Sequence, residues 1–190
     1  KLGCFGLSEP GNGSDSAAAS TTATRDGDDW IINGTKAWIT NAHDAHAAIV
    51  IATTDKSKKH KGLSAFIVPT DSAGFSLGKK EDKLGIRASS TCALSLVDVK
   101  VPASAVLGEV GAGYKYAIEI LNEGRIGIGA QMVGLARGAF DHAMPYILTE
   151  REQFGVAVGD FQGMQHQYAQ AATEIEACLL YTSPSPRDPI

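Results

Sequence analysis

A glycine-rich loop near the start of the chain has the residue types of a ligand-binding loop. Between residues 7 and 15, two glycines flank Asn12, and Ser14 follows them. The backbone N–H groups and the hydroxyl of such a loop can face an anionic or carbonyl-rich ligand. The loop lacks the third glycine and the strand-to-helix setting of a dinucleotide-binding fingerprint. A plain turn is therefore the alternative to a binding loop.

A second candidate for ligand binding is the pair Trp38 and Thr40. Alternation along a strand places both residues on the same face, so that an aromatic plane lies beside a hydroxyl. Such a face suits a flat heterocycle that needs one hydrogen bond. Packing of Trp38 in the core is the alternative.

Two polar clusters in the second half of the chain are candidates for contact with a ligand. Residues 122–125, Asn-Glu-Gly-Arg, interrupt an apolar periodicity, and a solvated helix turn is the alternative reading. Arg151 precedes Phe154 and Gly155, and this combination of a cation, an aromatic ring and a glycine resembles a phosphate clamp. A helix C-terminal cap explains Arg151 and Gly155 almost as well.

The histidines and cysteines do not predict a metal site. His43 and His46 are three residues apart in a predicted loop, with no third ligand nearby. Cys4, Cys92 and Cys178 lie far apart and form neither an even disulfide framework nor a CxxC pair. We expect all three thiols to be reduced and buried.

The elements that position these residues are strands in the first hundred residues and helices after them. The Asn33-Gly34 dipeptide predicts a tight hairpin turn. Because no segment with helical periodicity interrupts the strands, an antiparallel barrel or sandwich is favoured over βαβ winding. Alternation and β-branching predict strands over residues 17–24, 30–32, 36–40, 47–53, 63–69, 75–78 and 91–101.

Helical periodicity begins after a boundary near residues 102–112. Apolar residues recur at spacings of three, four or seven from Tyr114 to Ile147, which predicts a long helix with a bend near Gly124. A second helix is predicted from about Gln162 to Ala177. The chain is therefore predicted to be α+β.

The composition excludes several classes of protein. The chain has 190 residues, is 44% apolar and 20% charged, and has a formal net charge of −4. These values are typical of a globular protein with one large or two small domains. The chain lacks the run of about 18 apolar residues that a membrane helix needs and the basic field of a nucleic-acid binder.

Four segments, in this order along the chain, resemble signatures of the acyl-CoA dehydrogenase family: Leu7–Asp15, Asn33–Thr40, Lys83–Ser89 and Arg151–Gly155. The resemblance extends over residues 3–177. Residues 114–117 and 121–132 are most similar to the short-chain and short/branched-chain members. The resemblance implies a middle β-domain over residues 1–105 and the start of a C-terminal helical domain over residues 106–177. The family's N-terminal helical domain is expected to be missing.

The resemblance also implies which residues bind FAD and acyl-CoA. The tryptophan and threonine of the Trp-Ile-Thr segment would lie against the flavin, and Arg151 and Gln162 would reach the FAD of a neighbouring subunit. The implied FAD contacts are Phe5, Gly6, Leu7, Ser8, Glu9, Pro10, Gly11, Asn12, Gly13, Ser14, Trp38, Ile39, Thr40, Arg151 and Gln162. The implied substrate contacts are Ser14, Tyr114, Asn122, Glu123, Gly124 and Arg125.

The implied reaction is α,β-dehydrogenation of a short or short/branched acyl-CoA thioester to a 2-enoyl-CoA. A carboxylate removes the α-proton while the β-hydrogen leaves as hydride to flavin N5. Electrons then pass to electron-transfer flavoprotein, and the full-length protein is expected to be a homotetramer in the mitochondrial matrix or the bacterial cytoplasm. An acyl-CoA oxidase, a nitroalkane-oxidising relative and a non-catalytic binding module on the same fold are the alternatives.

Two positions depart from the family's pattern. Gly124 stands where some relatives carry the catalytic glutamate, and Glu123 points roughly 100° away from it on a helix. We therefore expect the catalytic base to lie C-terminal to residue 177, so that the chain contains no catalytic residue and is inactive alone. His60 stands where the most similar relatives have a tyrosine at the acyl-CoA site, and we therefore do not assign the acyl-CoA contact of that tyrosine to His60.

The two ends of the chain also differ from the family's pattern. The chain opens at Lys1 without an initiator methionine, and the resemblance stops at about Ala177. Three prolines between residues 184 and 189 exclude a regular helix there. Residues 178–188 can be encoded by a nucleotide string that resembles a transposase adapter used in sequencing libraries. We expect a fragment cut at both ends with a non-native tail over residues 178–190; a Pro/Ser linker is the alternative, and the nucleotide sequence tests it.

Overall fold

The computed structural model describes residues 1–182, which divide into a β unit, residues 1–120, and a helical unit that starts at Leu121. The β unit is built on one seven-stranded sheet. Its strands are β1 (Gly3–Gly6), β2 (Thr22–Asp26), β3 (Asp29–Thr40), β4 (Ala47–Thr53), β5 (Leu63–Pro69), β6 (Phe75–Leu77) and β7 (Thr91–Pro102).

The sheet is curled and mostly antiparallel. Neighbouring strands lie in the order β1-β4-β2-β3-β7-β6, and β5 also pairs with β4. Only the β1–β4 pairing and a single bridge between β2 and β4 are parallel within the described residues. The α+β class and the mostly antiparallel sheet are therefore confirmed. No sequence pattern predicts β1, which leads directly into the glycine-rich loop.

Two apolar clusters form the core of the β unit. The larger cluster contains Trp30 and Phe66, which meet edge to face with ring centroids 5.5 Å apart. The smaller cluster joins Leu7, Leu63 and Ala117, and Tyr114 packs against it. Burial alternates at the start of β3, as half-buried strands predict, whereas β5 buries its first four residues, Leu63–Phe66.

The hairpin predicted at Asn33-Gly34 is wrong, because β3 runs unbroken through both residues. The turn between β2 and β3 lies instead at Gly27-Asp28, since Asp26 pairs with Asp29. A Cβ atom on Gly34 would lie 2.7 Å from the Cα atom of Thr21. Gly34 therefore permits a close backbone approach in mid-strand rather than a reversal of the chain.

The predicted strand over residues 17–24 is also shifted towards the C-terminus. A short 3-10 turn occupies Ser16–Ala18, and β2 begins only at Thr22. The other predicted strands agree with β4, β5, β6 and β7 to within one residue.

The two helices are α1 (Gly113–Pro145) and α2 (Gln162–Thr182). Residues 113–120 of α1 belong to the β unit, and the rest of α1 and α2 belong to the helical unit. α1 shows no interruption at Gly124, and it ends at Pro145, whose ring nitrogen carries no hydrogen. One π-helical turn (Tyr146–Glu150) follows, and then a two-stranded hairpin of β8 (Glu152–Gln153) and β9 (Val156–Ala157).

α2 continues to Thr182, past the predicted end at Ala177. The proline-rich part of the predicted tail lies outside the described residues.

The cysteines only partly match the expectation. Cys4 and Cys92 are buried, whereas Cys178 is exposed, so the prediction of burial is wrong for Cys178. Burial raises the pKa of the Cys4 and Cys92 thiols. Within residues 1–182 no three His, Cys, Asp or Glu side chains cluster as metal ligands would, and neither helix is apolar and long enough to cross a membrane.

Candidate functional site

A buried ion pair anchors the glycine-rich loop to β3. Lys36 Nζ lies 2.8 Å from Glu9 Oε1, and both residues are almost completely buried, with 0% and 4% exposure. Lys36 Nζ also donates to the carbonyl oxygen of Leu7 at 3.2 Å. The backbone N–H of Ala37 donates to the carbonyl oxygen of Ser8 at 2.9 Å, so the loop is tied to the strand just before Trp38.

The Glu9 carboxylate accepts further hydrogen bonds from the segment before β2. Ser20 donates its backbone N–H at 2.6 Å and its hydroxyl to Oε2, and Thr21 donates its N–H to Oε1 at 3.0 Å. Burial by itself would raise the pKa of Glu9, but the hydrogen bonds from Lys36, Ser20 and Thr21 outweigh it and lower the pKa to about 2. The carboxylate is therefore ionised at neutral pH, and one side chain joins three segments of the chain.

The glycine-rich loop itself is a tight turn with an open outer side. Glu9 and Asn12 exchange backbone hydrogen bonds of 3.0 and 3.1 Å, and Asn12 Oδ1 accepts a second bond from the Glu9 N–H. Gly11, Gly13 and Ser14 are exposed, and no atom lies within 4 Å of a Cβ built on either glycine. Asn12 Nδ2 is buried and has no hydrogen-bond partner among the described residues.

Trp38 lies on the surface in a strained backbone conformation. Its side chain is 69% exposed, and its φ of 63° is in the left-handed region, which is rare for an aromatic residue. The pairing of β3 with β7 shifts register between Lys36 and Ile39, where this conformation occurs. Thr40 is also exposed, and Ile39 between them is buried. Core packing of Trp38 is therefore excluded, and Trp38 and Thr40 are both exposed.

These features fit a flat aromatic cofactor with polar edges. An exposed indole and an exposed hydroxyl two residues apart offer a stacking surface and a hydrogen bond. The anchored loop offers free backbone around Gly11 and Gly13 and the unpartnered amide donor of Asn12. The exposed Trp38 and Thr40 side chains are uncharged, which suits a neutral heterocycle.

Tyr114 at the start of α1 packs with the segment that precedes the loop. It is half-buried against the cluster that contains Leu7, and Phe5 packs against the same cluster. Tyr114 also contacts the imidazole of His60, with ring centroids 5.6 Å apart. The structure thus brings Tyr114, Phe5 and Leu7 together. His60, to which the family's acyl-CoA contact was not assigned, lies beside Tyr114.

Residues 122–125 form an exposed turn of α1. Arg125 donates to Asn122 Oδ1 at 2.6 Å, and all four residues are exposed. No atom lies within 4 Å of a Cβ on Gly124. The turn is accessible to a ligand, and Arg125–Asn122 is the side-chain hydrogen bond that it makes among residues 1–182.

Arg151 and Gln162 are exposed on either side of the β8–β9 hairpin. The backbone N–H of Arg151 closes the π-helical turn by donating to Tyr146 O at 2.8 Å, which agrees with a capping role for its backbone. Gly155 is not part of a helix cap, because Phe154 and Gly155 form the hairpin tip with φ values of 54° and 80°. Gln162 is the first residue of α2.

The Lys83–Ser89 segment is stabilised mainly by its own contacts. Arg87 bonds to Asp82 at 2.6 Å and to the Lys83 carbonyl at 2.7 Å, and Lys83 donates to Ser89. None of these bonds joins the segment to the glycine-rich loop or to Trp38.

The sequence patterns did not predict that Lys36 holds the glycine-rich loop against β3. Its position four residues after the apolar Ile32 was the available signal, since the two lie on the same face of a regular strand and a lysine on a buried face needs a buried partner.

The chain matches two family profiles along nearly its whole length. The profile described as "Acyl-CoA dehydrogenase, middle domain" matches residues 4–99, and "Acyl-CoA dehydrogenase, C-terminal domain" matches residues 111–183. Among curated proteins, the chain is 54% identical over 182 residues to the mitochondrial short/branched chain specific acyl-CoA dehydrogenase of Rattus norvegicus. That alignment covers 96% of this chain and 42% of the rat protein.

Solved structures agree with the sequence matches. Butyryl-CoA dehydrogenase from Megasphaera elsdenii is 44% identical with a TM-score of 0.90, over 96% of this chain and 48% of that one. A glutaryl-CoA dehydrogenase from Mycobacterium smegmatis, in complex with FADH2, is 40% identical with a TM-score of 0.87, over 95% of this chain and 45% of that one. The chain therefore spans less than half the length of these three proteins.

Proposed function

Because the chain belongs to the acyl-CoA dehydrogenase family, we propose that the protein carrying it dehydrogenates short or short/branched acyl-CoA thioesters to 2-enoyl-CoA with FAD. Supporting this substrate class are the 54% identity to a short/branched-chain enzyme and the 44% identity to a butyryl-CoA dehydrogenase. Residues 1–105 are proposed as the middle domain, residues 106–177 as the start of the C-terminal helical domain and residues 178–190 as a non-native tail.

One observation carries the proposal: the exposed Trp38, at a φ of 63°, lies on a strand to which the glycine-rich loop is anchored by the Glu9–Lys36 ion pair. Neither the strained backbone nor the exposed indole is explained by core packing, and strain of this kind is typical of ligand sites. The two implied cofactor segments are thus held in one fixed arrangement.

In the proposed site, the chain's own residues bind and orient the cofactor. Trp38 stacks on the heterocycle, Thr40 donates a hydrogen bond to it, and the loop from Phe5 to Ser14 contacts its polar part. Arg151 and Gln162 reach the FAD of a neighbouring subunit. FAD, when bound, supplies the acceptor for the β-hydride.

Substrate binding is assigned to Ser14, Tyr114 and residues 122–125. Ser14 is exposed and Tyr114 is half-buried, so both can contact a ligand. Hydrogen bonds to the thioester carbonyl must strengthen as negative charge develops on its oxygen, because the α-proton is only weakly acidic. Gly124 cannot take a proton, and we propose that the catalytic glutamate lies beyond residue 177.

We further propose that electrons pass to electron-transfer flavoprotein and that the full-length protein is a homotetramer. A mitochondrial matrix or bacterial cytoplasmic location is consistent with the mitochondrial rat relative and with the bacterial proteins of known structure.

A chimera tests the reaction. Residues 1–177 replace the aligned segment of the rat short/branched-chain enzyme, which supplies the remaining part of the protein. We expect FAD retention and dye reduction that depends on butyryl-CoA or 2-methylbutyryl-CoA. A chimera that folds and binds FAD but reduces no dye with either substrate would contradict the proposal. Oxygen consumption in place of dye reduction would favour an oxidase.

Two variants of the chimera sharpen the test. Trp38→Ala removes the proposed stacking surface and should release FAD during gel filtration. Val97→Ala changes an exposed apolar residue of β7 and should retain FAD. The isolated 190-residue chain should show no butyryl-CoA-dependent dye reduction, since the proposed base lies outside it.

A further inference from the structure

We propose that Asn12, in the glycine-rich loop, is a site of spontaneous deamidation, whereas Asn33 is protected from the same reaction. These are the two of the chain's four asparagines that precede a glycine. An Asn-Gly dipeptide is prone to deamidation, because glycine has no side chain to shield its nitrogen and its backbone turns freely towards the asparagine amide. The sequence alone therefore marks both sites, and the structure separates them.

The reaction consumes only water. The backbone nitrogen of the glycine attacks Cγ of the asparagine, so that a C–N bond forms and the Cγ–Nδ2 bond breaks. Ammonia leaves with the proton of the attacking nitrogen, and a succinimide ring remains. Water then opens the ring. Cleavage at Cγ gives aspartate, and cleavage at the main-chain carbonyl carbon gives isoaspartate, in which the chain runs through the former side chain.

The atoms that must react are unrestrained at Asn12. Gly13 is exposed, and its N–H donates to no acceptor among residues 1–182. Asn12 Nδ2, the leaving nitrogen, likewise has no partner in that part of the chain. The base of the loop, residues 7–9, is anchored to β3. Its tip, residues 11–14, forms no hydrogen bond with another segment of the described chain, so the tip can move while the base is fixed.

Rotation of the Asn12 amide leaves the turn paired. Asn12 Oδ1 accepts the Glu9 N–H at 3.0 Å, and the same N–H also donates to the main-chain oxygen of Asn12 at 3.0 Å. When the side chain turns towards Gly13, the Glu9 N–H therefore keeps an acceptor. No buried donor is left unpaired, which lowers the cost of reaching the reactive geometry.

Asn33, in contrast, is held at both ends of its amide. Its Nδ2 donates to Asp98 Oδ1 at 3.0 Å, and its Oδ1 accepts the Asp98 N–H at 2.8 Å. Its main chain is also fixed, because β3 pairs with β2 at Asn33 and with β7 at Gly34. Attack by the Gly34 nitrogen requires both amide bonds to break and the paired strand to open locally.

Exposure alone would predict the opposite order of reaction. Asn33 is half-buried, whereas Asn12 is 9% exposed. The comparison of the two sites therefore distinguishes control by hydrogen bonding from control by access to solvent.

Either product changes the loop. Deamidation of one residue replaces a neutral amide by a carboxylate, so the formal net charge goes from −4 to −5. Because Asn12 is buried, the new charge lies where water solvates it poorly. Isoaspartate also adds a methylene group to the main chain, so the two backbone bonds between Glu9 and Asn12 no longer fit. We expect the modified tip to be less ordered.

Incubation of the chain in mildly alkaline buffer, followed by proteolysis and mass spectrometry, tests the proposal. Peptides that contain Asn12 or Asn33 report deamidation as a mass increase, and retention time separates aspartate from isoaspartate. We expect Asn12 to react about tenfold faster than Asn33, because the Asn33 amide gives up two hydrogen bonds. In concentrated urea, where the structure is lost, the two rates should become similar.

Two glycine variants form a matched pair. A Cβ atom at Gly11 or Gly13 meets no atom within 4 Å and neither residue has a positive φ, so alanine fits at both positions. Gly13→Ala crowds the attacking nitrogen and should slow deamidation of Asn12 several-fold. Gly11→Ala lies before Asn12 and should not slow it. Asp98→Gly removes the acceptor of the Asn33 amide, at a residue whose φ is 50°, and should speed deamidation of Asn33.

Equal rates at Asn12 and Asn33 in the folded chain would overturn the proposal, as would a faster reaction at Asn33. No reaction at Asn12, over a period that deamidates the chain in urea, also overturns it. Equal Asn12 rates in Gly11→Ala and Gly13→Ala would exclude the Gly13 nitrogen as the nucleophile, and an unchanged Asn33 rate in Asp98→Gly would refute protection by Asp98. None of these outcomes depends on the proposed function, because deamidation needs neither FAD nor acyl-CoA.

Discussion

The β unit buries its apolar side chains, whereas the helical unit leaves them exposed. Every residue of the two buried clusters lies between Cys4 and Ala117. Within residues 121–182 no large apolar side chain is buried, and Ile126 and Leu135 are 78% and 66% exposed. A largely apolar cleft of about 470 Å³ separates α1 from α2. The β unit can hold a site rigidly by itself, and the helices need a further surface to cover them.

The largest predicted effect comes from breaking the buried ion pair of the β unit. Glu9→Gln leaves the Lys36 ammonium buried without a counter-charge and should lower the free energy of unfolding by about 3–5 kcal/mol. Both tryptophans of the chain, Trp30 and Trp38, lie in the β unit, so urea unfolding followed by tryptophan fluorescence measures this unit selectively. The double variant Glu9→Gln/Lys36→Met should recover most of the loss; equal instability of both variants would contradict the assignment.

A matched pair of leucines compares the two units directly. Leu94→Ala removes a side chain that is 0% exposed and should lower the unfolding free energy of the β unit by about 2–5 kcal/mol. Leu135→Ala removes one that is 66% exposed and should change stability by no more than about 0.5 kcal/mol. Tryptophan fluorescence measures the first change and circular dichroism at 222 nm the second. Similar losses would show that α1 is covered in solution.

Acid should weaken the β unit through Glu9. Its pKa of about 2 in the folded state lies below the ordinary value of 4.5. The stabilisation is therefore fully present above about pH 4.5 and is lost as the pH falls through about 2; its full size is roughly 3 kcal/mol, of which about 2 kcal/mol is lost by pH 3. Urea midpoints at about pH 7 and pH 3 measure it. Glu9→Gln/Lys36→Met is the reference, because it lacks the titrating carboxyl; an equal acid response in both proteins would refute the role of Glu9.

The smallest predicted effect is a stabilisation. Lys59→Gly relieves an unfavourable backbone conformation and should raise the unfolding free energy of the β unit by about 1 kcal/mol. Lys59→Ala removes the same charge but keeps the strain, so it should show no such gain. Urea unfolding followed by tryptophan fluorescence distinguishes the two variants. A gain in both would attribute the effect to charge rather than to backbone strain.

Local patterns predicted most of the strands, and contacts distant in sequence account for the errors. β4 and β5 agree with prediction because alternation and β-branching act within each segment. Asn33-Gly34 has the local preference of a hairpin turn, but Thr21 packs against Gly34 and keeps β3 extended. Tertiary packing therefore overrides the local turn preference of Asn33-Gly34.

The candidate site was predictable in its residues but not in how they are held. Trp38 and Thr40, which the strand pattern singled out, are both exposed. Glu9 and Lys36 are 27 residues apart, and no local spacing pairs them. The positive φ of Trp38 follows from a register shift between β3 and β7, which depends on both strands. Sequence thus identifies side chains, and the sheet determines their geometry.

The Glu9–Lys36 ion pair also affects the order in which the chain becomes protected from solvent. A lysine with no exposed surface cannot be buried before its carboxylate arrives, since an isolated buried ammonium is strongly unfavourable. The loop and the sheet must then close in one cooperative step. We expect the amide hydrogens of Ser20, Thr21 and Ala37, which bond to the loop, to exchange with deuterium only through global unfolding. The base of the glycine-rich loop would then be among the slowest-exchanging surface segments of the protein.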